Sequence, residues 1–143
     1  MNSPYNIFLL IGGALSAIAA VLHIGIILGG ASWYRFFGAG EPMATAAQAG
    51  RWYPAIVTSC IALVLAAWSA YAFSGAGLLA RLPFLKLALV LITIVYLLRG
   101  LAIVPLISIA KVSPTPFLVW SSLICLVYGL VHMIGLMQMW RTT

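Results

Sequence analysis

Carboxylates are almost absent from this sequence: Glu41 is the only acidic side chain, against seven Lys and Arg in 143 residues. Charged residues of either sign make up 6% of the chain. A soluble domain carries about 25%, so this chain has too few charges to cover itself for water. Cysteine is scarce as well. Cys60 and Cys125 both lie inside apolar segments, with no CxxC and no histidine at ligand spacing, which excludes a zinc site or a thioredoxin-type redox pair. No run of Lys and Arg occurs, so the net charge of +6 builds no basic patch, and nucleic acid is excluded as a partner. Short alternating strands are missing too, which excludes a membrane β-barrel.

What fills the sequence is apolar residues, 65% of the total. They gather in four stretches, about 5–29, 54–74, 83–104 and 116–140. Each reaches the ~20 residues that a helix needs to cross a ~30 Å hydrocarbon core, and helices satisfy their own backbone groups in lipid. The expected fold is all-α: a polytopic membrane protein with a four-transmembrane-helix bundle, one domain over 1–143. The first stretch lacks a positive leader and a cleavage site and is read as a retained helix rather than a signal.

Proline marks the helix starts, where its missing N–H costs nothing. Ser3-Pro4, Pro83 and Thr115-Pro116 open the first, third and fourth helices, and Gly29-Gly30 and Ser74–Gly77 close the first and second. Glu41-Pro42 repeats the start signal in the first loop. The alanine-rich "PMATAAQAG" after it predicts a short interfacial helix, with Glu41 favoured at its N-terminus. Gly12, Ser16 and Ala20, Gly13 and Ala17, and Ala62, Ala66 and Ala70 recur at four-residue spacing. Such faces allow close helix approach in lipid, so the first and second helices are expected to pack along them.

Polar groups within membrane helices are costly and usually face the bundle or a cavity. His23 shares a face with Gly12, Ser16 and Ala19; Arg99 lies over Tyr96 and Ile92; His132 continues a line of Ser121, Cys125 and Tyr128. At 1.5 Å per residue, His23 and Arg99 lie roughly 9 Å below their helix ends on the first-loop side, and His132 roughly 24 Å down. Two histidines in different layers cannot share one haem iron, so haem b is a poor expectation, and no metal site is expected.

Glu41 sits in an aromatic and basic loop, "WYRFFGAGEPMATAAQAGRWYP", from Trp33 to Pro54. Arg99 needs a counter-charge, and a loop folded over the helix ends would bring Glu41 to Arg99, to Arg35 or to both, in the fork geometry that suits guanidinium and carboxylate. The expected ligand-binding residues are His23, Arg35, Glu41, Tyr96 and Arg99, in a pocket between the helices under the 33–54 loop. A small amphipathic ligand (a lipid, fatty acid or quinone) would place its head there and its tail among the helices. The alternatives are a membrane-embedded enzyme with His23 as acid or base and a small dimeric transporter. No catalytic nucleophile–base pair is legible.

In its four short helices, early histidine and "YRFFGAGE" segment, the sequence resembles small uncharacterised bacterial inner-membrane proteins, loosely DoxX-like in layout. That resemblance implies the fold and a bacterial inner membrane, and matches no catalytic motif. The polar helical signature of the glutathione-handling four-helix enzymes is missing, as is the intramembrane acid of small multidrug exporters. Basic residues divide between Arg81, Lys86 and Arg141 on the side of the termini and Arg35, Arg51 and Lys111 opposite. With Arg35 and Arg99 held internally, the positive-inside rule favours cytoplasmic termini. The expected partners are membrane lipids, and exposed small-residue faces suit a homodimer.

Overall fold

A computed structural model of the chain describes residues 5–141. The described residues are helical with no strand, and four helices are long and apolar enough to cross a membrane. The all-α reading of a four-transmembrane-helix bundle holds. The helices are α1 (Ile7–Phe36), α2 (Glu41–Gln48), α3 (Tyr53–Ala76), α4 (Leu85–Leu101), α5 (Ile103–Ser108) and α6 (Pro116–Arg141).

Local chemistry accounts for most boundaries. Ser3-Pro4 lies outside the described residues; within them Asn6 caps α1, its Oδ1 accepting the Leu9 N–H at 3.1 Å. Thr115 caps α6 in the same way, its Oγ1 accepting the Leu118 N–H at 3.1 Å, with Pro116 as the first helical residue. Pro42 sits in the first turn of α2 as expected. Two boundaries depart from the sequence reading. Past Pro83 the chain makes a turn, and α4 starts only at Leu85, after Phe84 in the left-handed region. The third apolar stretch then ends as two helices, α4 and α5, which together cover Leu85–Ser108. The first helix does break where Gly29-Gly30 predicts. Gly30 has φ 64° and ψ −150°, and a further helical stretch to Phe36 follows this kink.

The chain divides into two compact units whose boundaries fall inside α1 and α3. One takes the chain up to Leu15 and from Trp68 onward; the other is Ser16–Ala67.

In the first unit, glycine sets how closely the helices approach. A Cβ on Gly100 of α4 would stand 2.7 Å from the backbone nitrogen of Leu126 on α6, and one on Gly129 of α6 would stand 2.6 Å from the Leu97 side chain of α4. Each helix thus supplies a glycine where the other's bulk comes in. The start of α1 joins them: Asn6 Nδ2 donates to Gly135 O at 2.6 Å, and Ser69 Oγ of α3 donates to Gly13 O at 2.8 Å. At Gly13 the first helix meets α3 as the spacing suggests, whereas Gly12 meets His132 of α6 instead. The alanine face of the second apolar stretch does not behave as one stripe, because Ala62 is buried while Ala66 is exposed.

In the second unit, the kink at Gly30 turns the chain so that Trp33 lies over Gly29, where any side chain would collide with the indole. Tyr34 then packs with Ile26 and Ala44 in a small apolar cluster that Met43 and Ala47 border. The covered face of α2 centres on Ala44, with Met43, Ala46 and Ala47 half-buried beside it.

Candidate functional site

The lone carboxylate goes to Arg35. Glu41 Oε1 receives hydrogen bonds from Arg35 Nη2 at 2.7 Å and Nε at 3.1 Å, while Oε2 receives one from Nε at 3.0 Å. Arg35 Nη2 also reaches Gln48 Oε1 at 3.2 Å. Glu41 and Gln48 are the first and last residues of α2, two turns apart on one face, so one guanidinium clamps the helix at both ends. The hydrogen bonds from Arg35 hold the Glu41 carboxyl below its ordinary value. Both partners are exposed, so this clamp orients the loop more than it stabilises the fold. A second tie is buried. Thr58 Oγ1 donates its one hydrogen to Pro54 O at 2.8 Å, so the Tyr34 hydroxyl, 3.1 Å away, is the donor to Thr58.

Arg99 stands in the last turn of α4, where a cation faces the carbonyl end of the helix favourably. Its Nη2 donates to Ser121 Oγ at 3.1 Å and its Nη1 to Ser122 Oγ at 3.3 Å. Both acceptors are neutral hydroxyls. These bonds use two of the five N–H donors that a guanidinium carries, and no acidic side chain remains for the charge, since Glu41 is taken by Arg35.

Of the residues expected to form a site, Arg35 and Glu41 are brought together. Tyr96 and Arg99 share α4, one turn apart. His23 is half-buried, and its Nδ1 bonds to Ala19 O of its own helix at 2.7 Å. The spacing places Ser121 in the polar line of α6, but it does not reveal that Ser121 and Ser122 accept from Arg99.

One residue outside the expected site is fully enclosed. His132 is fully buried on α6, at 0% exposure. Its ring lies 5.2 Å from that of Tyr96, which in turn meets Trp68 at 5.0 Å and Tyr128 at 5.4 Å, both edge to face. The Tyr128 hydroxyl donates to Leu15 O at 2.9 Å. Gly12 lies against the imidazole, with room for the ring because it has no Cβ. His132 Nδ1 bonds to Tyr128 O at 2.8 Å, and no protein group among the described residues partners Nε2. A buried acceptor left bare costs about 1–3 kcal/mol. The line Ser121, Cys125, Tyr128, His132 was the available signal, but it shows a face and not what the face meets. Among the described residues no three His, Cys, Asp or Glu side chains gather as a metal site requires.

Comparison of the chain with protein-family models, with curated proteins and with solved structures finds no match.

Proposed function

We propose that this multi-pass membrane protein holds the anionic or carbonyl head of a small amphipathic molecule (a lipid, a fatty acid or a quinone) at Arg99, with Ser121 and Ser122 orienting the guanidinium. The observation that carries the reading is the charge balance at Arg99. The chain has one acidic side chain and Arg35 occupies it, and among the described residues the side chains that Arg99 bonds to are two neutral serine hydroxyls. Three N–H donors remain for a headgroup oxygen. The exposed apolar side chains Leu98 and Leu101 beside it suit a hydrocarbon tail.

The membrane in this reading is a bacterial inner membrane with cytoplasmic termini.

The test is extraction and mass spectrometry of amphiphiles that co-purify with the parent and with Arg99→Met, which keeps the length and removes the charge. Loss of charge-assisted hydrogen bonds worth about 1.5–3 kcal/mol corresponds to retention lower by about ten- to a hundredfold. An Arg99→Met protein that is folded and keeps the same amphiphile in the same amount overturns the reading.

A further inference from the structure

His132 offers a second, chemically opposite site. The acceptor of its Nδ1 bond is a backbone carbonyl, which has no hydrogen to give, so Nδ1 carries the proton. In the neutral ring Nε2 then keeps its lone pair. A backbone carbonyl that fixes the tautomer in this way is how an imidazole is set to present Nε2 to a ligand. The ring is held on several sides. Tyr96 packs at 5.2 Å, and a Cβ on Gly12 would stand 2.7 Å from Cε1 and 3.1 Å from Nε2. The imidazole thus has little freedom to turn Nε2 toward another partner, and no described protein group donates to it.

We propose that His132 Nε2 is a binding atom that accepts a hydrogen bond from an O–H donor enclosed beside the aromatic rings of Tyr96, Tyr128 and Trp68. A lone pair selects donors: carboxylates, phosphates and carbonyls, which Arg99 attracts, have nothing to give it. A metal ion would also take a lone pair, but the His, Cys, Asp and Glu side chains needed to complete a coordination shell are not gathered among the described residues. The O–H comes from one of two sources: the hydroxyl of an apolar alcohol or phenol, or an internal water. His132 is ten residues beyond Ser122 on α6, about 15 Å along the helix. One small ring cannot touch both sites, so this site stands or falls separately from Arg99.

The sequence contains only two histidines, which makes the measurement direct. The full chain is labelled with 15N-histidine, reconstituted in lipid nanodiscs, and its imidazole nitrogens are observed by NMR. His23→Gln leaves the His132 signals alone, and their loss in His132→Phe confirms the assignment by an independent variant. The expected result is a protonated Nδ1 and an imine-type Nε2 signal displaced from the free-imine position by an accepted hydrogen bond. Cross-relaxation from Nε2 to water protons identifies an internal water. Cross-relaxation to ligand protons, with return to the free-imine position after delipidation, identifies a hydroxylated amphiphile. A Nε2 signal at the free-imine position in the untreated protein, or a proton on Nε2 in place of Nδ1, overturns the proposal.

Discussion

Gly12 and His132 define one another's space: a Cβ on Gly12 would stand 2.7 Å from Cε1 and 3.0 Å from Nδ1 of the imidazole. The ring is buried and tied through Nδ1, so it cannot swing aside cheaply. Gly12→Ala is therefore expected to destabilise the protein by about 1–3 kcal/mol through overpacking. Ala14→Val, on the exposed side of the same turn, serves as the control and is expected to change little. Unfolding in detergent, followed by circular dichroism, checks the pair. Equal stability of Gly12→Ala and the parent refutes the tight contact.

Gly30 tests backbone conformation alone. Its φ of 64° and ψ of −150° lie in a region that essentially only glycine populates, and nothing lies within 4 Å of a Cβ built there. Gly30→Ala is expected to cost about 1–3 kcal/mol from strain with no steric clash. It should also straighten α1 and release Tyr34, which would appear as faster hydrogen exchange across 31–48. A variant with the parent's exchange pattern means that the kink does not depend on this residue.

Tyr34→Phe removes the buried donor to Thr58 and leaves the ring in its cluster with Ile26 and Ala44. Thr58 keeps its own bond to Pro54 O, so the expected loss is that of one hydrogen bond, about 0.5–1.5 kcal/mol. Thr58→Val should cost a similar amount, and the double variant should cost less than the sum of the two. Strict additivity in this cycle would show that the hydroxyls do not interact.

The Arg35–Glu41 clamp has a pH signature. A carboxyl whose pKa is depressed in the folded state contributes stability that is fully present above its unfolded value and is lost as pH falls through the folded one. Glu41 is such a group, so the clamp should hold at neutral pH and fail below the unfolded carboxyl value of about 4.3. Because the pair is exposed, the readout is proteolytic susceptibility of 36–52 rather than global unfolding. Susceptibility of the parent is expected to rise on acidification, while Glu41→Gln is already susceptible at neutral pH and does not change. Equal protection of the parent and Glu41→Gln loops at neutral pH would rule out the clamp.

The four spans, the short α2 helix around Pro42 and the capped start of α6 were legible before any packing was known, because length, hydropathy and first-turn chemistry are local properties. Scarcity of acids also made Glu41 the one side chain that could serve an arginine as counter-charge. Which arginine was a tertiary decision: the Gly30 kink and the Tyr34 cluster carry Arg35 to α2, whereas Arg99 turns to Ser121 and Ser122 on α6. The enclosure of His132 was likewise beyond the sequence. Periodicity placed it on one face with Tyr128, but membrane helices are apolar on the faces that meet lipid as well as on those that meet protein. Hydrophobicity could therefore not tell that Gly12 and Tyr96 close over His132, or that Ala66 is left exposed while Ala62 is buried. The enclosure of His132 came from a close approach at glycine, which exists only once the helices are set in three dimensions.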